Sequence, residues 1–468
     1  MTPPSAPGGL LRPGTHLHFM GIGGIGMSGL AGVCLDRGFQ VSGCDTKLNG
    51  MAHRLQERGA AVCVGHDPAH LNGGDGLMVF SSAVSPQEPE LRAARDRGVR
   101  TMMRGELLAA LAADAHLIGV AGAHGKTTTS GMAAHVLLQA GWDPTVVVGG
   151  IMLALGTNAR HGRGTYLVAE TDESDGSFLH LHPQVALVTN VDREHLNHYQ
   201  TFDRLIAAFE QFVAQIRPGG TLIRCTDNPI VRERLQAPAM LGYGFGPWSD
   251  VTADRIQPDA QGSRFRALYN GRALGAFRLQ VPGRHNVLNA LGVIGLGLTL
   301  DLPLATIREG LAAFQGTRRR FQVLRLPRDI WFIEDYAHHP AEIQATLSAD
   351  TVGSRHRLVV FQPHRFTRTQ SLEQELTACF DGADGVIVTD IYSAFEPPIP
   401  GVSGEHLARL IKDRGHPCVR YVPKQELPSY VGRIAQPGDT IFFLGAGDIN
   451  EVCYDVAARL RAAQRAAR

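Results

Sequence analysis

The residues with the most explicit chemistry are Gly122-Ala123-His124-Gly125-Lys126-Thr127-Thr128-Thr129. An apolar run, 116–121, precedes them, and a segment of helical character, 127–141, follows. That order of strand, glycine loop, lysine and helix suits a phosphate. Loop and first-turn N–H groups converge on an anion, and the helix dipole favours its charge. In such loops the lysine reaches the β- and γ-phosphates of ATP, and the hydroxyl that follows meets Mg²⁺. The common spacing GxxxxGKT would need glycine at position 120, where Val120 stands. Gly122 therefore opens a shortened loop, GxHGKT, unlike that of ordinary P-loop NTPases.

Two polar segments follow apolar runs in the same part of the chain. Glu170-Thr171-Asp172-Glu173-Ser174-Asp175 comes after 165–169, and carboxylates at a strand's C-terminal end are placed to hold Mg²⁺. Asp192, Glu194, His195 and His198 come after 185–189. Nearer the start, Gly21-Ile22-Gly23-Gly24-Ile25-Gly26 is a GxGxxG between strand and helix patterns, with Asp45 about 20 residues further on. It reads as a seat for NAD, or for another pyrophosphate such as that of a UDP-sugar. Asn286 and Asn289 share one face of a helix start, and their amides suit an adenine edge, although Asn286 also suits a helix cap. Arg318-Arg319-Arg320 lies at a domain junction, where a guanidinium could swing over a γ-phosphate. Asp335-Tyr336-Ala337-His338-His339 and His364-Arg365-Phe366-Thr367-Arg368 each follow a strand pattern, and Arg365 and Arg368 suit a small carboxylate.

The elements that must position these residues alternate strand and helix in three successive parts. This predicts an α/β protein of three domains: a Rossmann-like N-terminal domain (1–113), a central P-loop ATPase-like α/β domain (114–316) and a Rossmann-like C-terminal domain (317–468). The stretch 250–280 reads as irregular, and 1–9 as a floppy start. A chain of 468 residues exceeds one hydrophobic core, which agrees with several domains. The net charge of +1 recruits neither nucleic acid nor a membrane surface. No run of about 18 apolar residues spans a membrane and no signal peptide leads the chain, so a cytoplasmic protein is expected. Seven scattered cysteines without a CxxC give neither a disulfide framework nor a zinc spacing.

The order of these motifs resembles the Mur ligases, the ATP-dependent amide-forming enzymes of peptidoglycan synthesis. The resemblance rests on His18 to Gly24, the GxHGKTTT loop, Glu170 to Asp175, Pro282 to Ala290, Asp335 to Pro340, and His364 to Thr369. The segment Glu396 to Gly404 is similar to the L-alanine-adding branch. The resemblance implies three substrates, UDP-N-acetylmuramate, ATP and L-alanine, with Mg²⁺ as the metal and a monomer or homodimer as the assembly. It carries Gly21, Gly23, Gly24, Gly26, Asp45, Ser81 and Ser82 to the UDP-sugar. Gly122, His124, Gly125, Lys126, Thr127, Thr128, His285, Asn286, Asn289, Arg320 and Asp335 go to ATP. Thr127, Glu170 and His195 go to the metal, and His338, Arg365 and Arg368 to the amino acid. Lys126, Arg320 and His338 are the implied catalytic groups. The rival readings are a nicotinamide oxidoreductase, an NTP-driven switch, and a sister ligase that attaches a preformed peptide.

Overall fold

The computed structural model describes residues 11–71, 76–82, 84–259, 262–349 and 354–466, so the expected floppy start lies outside the described residues. The protein is α/β and forms two compact units. One comprises the residues up to Asp254 with Phe265–Phe277 and Leu288–Gln315. The other comprises Arg255–Arg264, Arg278–Val287 and the residues from Gly316 onward.

The first sheet contains β1 (His16–Met20), β2 (Gln40–Asp45), β3 (Ala61–Val64), β4 (Leu77–Phe80) and β5 (Arg100–Met103), all parallel in the order β3-β2-β1-β4-β5. The order reverses at β1, and the first glycine loop leaves from that switch point.

The second sheet has ten strands: β6 (His116–Ala121), β7 (Thr145–Met152), β8 (Thr157–Arg160), β9 (Tyr166–Glu170), β10 (Val185–Val188), β11 (Thr221–Cys225), β12 (Met240–Tyr243), β13 (Val251–Asp259), β14 (Gly262–Tyr269) and β15 (Arg272–Leu279). Their order is β15-β14-β13-β12-β11-β10-β6-β9-β7-β8. The stretch 250–280 is thus not irregular. It supplies three strands at the sheet's edge, and residues such as the half-exposed Arg266 and the exposed Arg272 replace the apolar run that would have marked them.

The helix Ile25–Asp36 buries every residue from Met27 to Cys34. It packs on the first sheet and also meets β8. A Cβ on Gly29 would fall 2.6 Å from Asn158 Nδ2, and that same amide donates to the Ile25 carbonyl at 2.8 Å. One apolar cluster therefore runs from Leu17, Phe19 and Leu30 to Phe178, Phe209 and Phe212.

The second unit is built on β16 (Gln322–Leu326), β17 (Ile330–Asp335), β18 (Arg357–Phe361), β19 (Gly385–Val388), β20 (Val419–Tyr421) and β21 (Thr440–Leu444), in the order β16-β17-β21-β18-β19-β20. Only the β16–β17 pair is antiparallel among its described pairings. Alternate residues feed two cores. Ile333, Val359, Phe361, Phe442 and Leu444 enter one, and Phe332, Val360, Ile441 and Phe443 the other. A sheet covered on both faces needs such unbroken apolar strands.

Among the described residues no helix is long and apolar enough to cross a membrane. All seven cysteines are free thiols.

Gly43 in β2 lets the first glycine loop fold down onto the sheet: a Cβ there would lie 2.5 Å from the Phe19 carbonyl oxygen and 2.7 Å from Ile22 Cδ1. Backbone cannot step aside as a side chain can. Gly43→Ala is expected to cost about 1–3 kcal/mol, read as a lowered apparent Tm in thermal unfolding.

Candidate active site

The loop after β6 is held open by its glycines. Gly122 has φ +134° and Gly125 φ +82°. A Cβ on Gly122 would fall 2.1 Å from Thr189 Oγ1, and one on Gly125 would fall 2.8 Å from Asn289 Oδ1. Residues after β10 pin the loop: the Thr189 hydroxyl and the Asn190 amide donate to the His124 carbonyl at 2.7 and 3.0 Å, and Asn190 Oδ1 accepts from the His124 N–H at 2.8 Å. His124 Nε2 lies 3.0 Å from Asp192 Oδ2. The helix Lys126–Gln139 then begins without a side-chain cap, so its first-turn N–H groups retain their capacity for an anion.

Lys126 is folded back into this loop. Its Nζ donates to the Gly122 carbonyl at 2.5 Å and to Glu173 Oε1 at 2.7 Å. Burial works against the ammonium, but Glu173, then Glu170 and Asp172, outweigh it and raise its pKa above the usual lysine range. Thr127 Oγ1 donates to Glu170 Oε1 at 3.1 Å, and Glu170 Oε2 accepts from the Gly149 N–H at 2.6 Å. His195, in a left-handed conformation with φ 55°, places Nε2 3.6 Å from Glu173 Oε1 and 3.8 Å from Glu194 Oε2.

These donors fit a magnesium ion. Glu173, Glu194 and His195 offer ligand atoms within 4.8 Å of one another, and the buried Glu173 Oε2 has no hydrogen-bond partner among the described residues. Such an orphaned carboxylate oxygen is what a hard cation requires. Of the four acids from Glu170 to Asp175 the sequence singled out Glu170 and not Glu173. Its place beside Lys126 follows from the chain's return beneath the loop after Glu170.

The first glycine loop is built differently. Gly21 has φ +79°, the Gly23 N–H donates to Asp45 Oδ2 at 2.8 Å, and the Asn49 amide donates to the Gly23 carbonyl at 2.9 Å. Gly24 is the uncapped start of helix Ile25–Asp36, which includes Gly26. Ser81 and Ser82 follow β4 at the same end of the sheet. Arg104, which sequence reasoning passed over, lies beside this loop: a Cβ on Gly26 would sit 3.0 Å from its Nη1, and its Nη2 meets Asp172 Oδ2 at 2.7 Å. Only the fold, through the β5 exit, reveals that link.

In the second unit the polar segments leave from β17, β18 and β21, which are neighbours. Asp335 accepts from the Phe321 and Ala337 N–H groups at 3.0 and 2.8 Å and from the Thr346 hydroxyl at 3.2 Å. Arg320 lies over the Tyr336 ring, 5.0 Å from its centroid, and 3.9 Å from Glu342. Arg319 instead donates to the Gly445 and Gly447 carbonyls at 2.9 and 2.7 Å. His338 directs Nδ1 to the Tyr336 carbonyl at 3.0 Å and to Glu342 at 3.2 Å. Burial holds its pKa well below the ordinary histidine value. His364 is pushed down to about 3 by burial and then by Arg368, whose Nη1 is 3.0 Å from its Nδ1. Arg365 lies 3.8 Å from Glu396. Glu396 is a third residue whose place the sequence did not disclose: it accepts from the Thr367 hydroxyl at 2.8 Å across 29 residues. His285 is lowered to about 4 by burial and by Arg320, and the Asn286 amide donates to the Pro282 carbonyl at 2.6 Å.

Three family models match the chain in succession: "Mur ligase family, catalytic domain" over residues 16–116, "Mur ligase middle domain" over 120–297, and "Mur ligase, glutamate ligase domain" over 319–447. A UDP-N-acetylmuramate–L-alanine ligase of Sorangium cellulosum is 47% identical over 454 residues, covering 96% of this chain and 97% of its own. The crystal structure of UDP-N-acetylmuramate-alanine ligase MurC from Thermotoga maritima superposes with a TM-score of 0.83 at 29% identity, over 96% of this chain and 99% of that one. A murein peptide ligase from Psychrobacter arcticus shares the fold, with a TM-score of 0.72 at 24% identity, over 96% of this chain and 99% of that one.

Burial raises the Asp335 pKa from 3.8 to about 6, against the pull of Arg320 and two N–H donors. An acid whose pKa rises on folding holds its proton more tightly in the native state. Its contribution to stability is therefore greatest below the unfolded pKa and falls as pH rises towards the folded one. The loss between about pH 4 and pH 6 is on the order of 3 kcal/mol. The stability of the wild type relative to Asp335→Asn is expected to decline across that window, followed by the apparent Tm of both proteins at each pH.

Proposed function

The chain belongs to the Mur ligase family, and we propose that it joins L-alanine to the lactyl carboxylate of UDP-N-acetylmuramate, driven by ATP, in peptidoglycan precursor synthesis. The observation that carries this reading is the Lys126 ammonium, held between the Gly122 carbonyl and Glu173 at an uncapped helix start. It is a phosphate grip whose partners sit beside the acids that suit a metal. The relatives' names supply the two other substrates. Residues 1–113 are assigned to UDP-N-acetylmuramate, 114–316 to ATP and 317–468 to L-alanine, in a cytoplasmic enzyme.

In the first step the lactyl carboxylate oxygen attacks the γ-phosphorus of ATP. The bond to the β–γ bridging oxygen breaks, ADP leaves, and an acyl phosphate forms. Two anions must approach, and Lys126 and Arg320 supply the positive charge that offsets their repulsion and stabilises the transition state. Thr127, Glu170 and His195, with Glu173 and Glu194, would hold Mg²⁺, which adds further charge neutralisation on the phosphates. A histidine used as a ligand has no lone pair left for proton transfer, so His195 is not the base.

In the second step the L-alanine amine attacks the acyl carbon and phosphate departs. The ammonium must first lose a proton. His338 is neutral and commits Nδ1 to Tyr336 and Glu342, which leaves the Nε2 lone pair for that proton. Arg365 and Arg368 bind the amino acid's carboxylate, and Glu396 holds the Arg365 side in place.

Phosphate release is expected to require UDP-N-acetylmuramate and L-alanine together. Release without L-alanine would mark a simple ATPase, and a preference for a preformed peptide would mark the sister ligase. Lys126→Ala is expected to lower turnover about 10²–10³-fold at saturating ATP, with normal turnover the result that removes it from the mechanism. For His338→Ala the acidic limb of the pH–rate profile is expected to change, and an unchanged profile excludes it as the base.

A further inference from the structure

Away from this chemistry, side chains around the first sheet converge on one carboxylate. Glu90, in the first turn of helix Pro89–Asp96, is fully buried. His18 Nε2 lies 2.9 Å and His70 Nδ1 3.3 Å from its Oε1, while Cys44 Sγ lies 3.1 Å from its Oε2. One ligand-type atom from each of the four residues falls within 4.8 Å of all the others. His66 Nδ1 adjoins them, 3.1 Å from Cys44 Sγ and 3.8 Å from Glu90 Oε2.

We propose that His18, Cys44, His70 and Glu90 form a structural zinc site. Two imidazole nitrogens, one sulfur and one carboxylate oxygen are donors that Zn²⁺ accepts in four-coordinate sites. The oxygen-rich set around Glu173 suits magnesium instead. Charge also balances: one thiolate and one carboxylate cancel a divalent cation, which matters where both anions are buried. Binding replaces the Cys44 S–H bond by an S–Zn bond, and the proton leaves to solvent. His18 is already oriented for this, because its other nitrogen, Nδ1, lies 2.8 Å from Ser42 Oγ, the arrangement that fixes metal-binding histidines.

The four ligands come from β1, β2, the turn Pro68–His70 and helix Pro89–Asp96. They are 20 to 26 residues apart, which is why the cysteine spacing carried no zinc signal. The Cys44 carbonyl accepts from the Gly21 and Ile22 N–H groups at 2.8 and 3.0 Å, so the ion would fasten the floor of the first glycine loop.

The test uses the full chain, stripped with chelator and titrated with Co²⁺ and then Zn²⁺. One equivalent of Co²⁺ is expected to give a thiolate-to-metal charge-transfer band with tetrahedral d–d bands, which Zn²⁺ abolishes. Cys44→Ser is expected to lose the charge-transfer band, and the exposed Cys63→Ser to keep it. His70→Gln, which retains the thiol, is expected to weaken Zn²⁺ binding more than about tenfold; it serves as the second variant if Cys44→Ser fails to fold by circular dichroism. Zn²⁺ is also expected to raise the apparent Tm of the wild type and not that of Cys44→Ser. Absence of the charge-transfer band from the wild type, its persistence in Cys44→Ser, or unchanged affinity in His70→Gln overturns the assignment.

Discussion

An ammonium withdrawn from water has to be matched by negative charge placed beside it, and the first unit is organised around that requirement at Lys126. Its match comes from residues 47 positions away, through Glu173 at 2.7 Å. The sheet order makes the meeting possible. β6 lies between β10 and β9, so the glycine loop that leaves β6 is flanked by the polar segments leaving both neighbours. One side brings Glu170, Asp172 and Glu173. The other brings Thr189, Asn190 and His195, and its contacts clamp the loop backbone. An added phosphate changes this balance, because it offers Lys126 a competing set of anionic oxygens. Carboxylates released from the ammonium in that way would be open to a cation.

The second unit applies the opposite logic. There the strand ends gather arginines, and the histidines among them are kept neutral by burial and by that positive charge. His364 at about 3 and His285 at about 4 both follow this pattern. A neutral imidazole adds nothing to the repulsion among the guanidinium groups, whereas a protonated one would. The guanidiniums themselves are held by aromatic faces and carbonyls as well as by carboxylates: Arg319 and Arg320 both lie over Tyr336, 4.9 and 5.0 Å from its centroid.

What the sequence disclosed, and what it did not, follows the range of the interactions. The glycine loops, the strands that feed them and the helices that follow are local, and their residue order predicted them. The strands β13 to β15 escaped because an edge meander with solvent on one side carries arginines where a buried strand would carry valines. Pro258 and Asp259 in β13 further disguise it. The partners of the site residues escaped for a different reason. Glu173 stands among four nearby acids, and only the turn after Glu170 selects it. Arg104 reaches Asp172 across 68 residues, and Glu396 reaches Thr367 across 29. No periodicity encodes such pairs, since each is set by which strands become neighbours.

The two glycine loops show how far a motif can be trusted. By spacing they are the same device, a glycine turn before a helix, and Asp45 stands where a ribose-binding acid would stand. In the fold, Asp45 Oδ2 accepts from the Gly23 N–H and Oδ1 from the Thr46 hydroxyl at 3.3 Å. The acid thus braces its own loop, and a sugar hydroxyl would have to compete with a backbone amide for it. The spacing that suggested a nicotinamide cofactor is equally the spacing needed to hold the turn's shape. A glycine motif therefore fixes where a pyrophosphate can rest, and the ligand's identity must come from the side chains around it. At the second loop those side chains are a lysine, a threonine and buried carboxylates, which suit a triphosphate with its metal. At the first they are Asn49, Arg104 and the serines after β4, which suit a hydroxyl-rich diphosphate that needs no metal of its own.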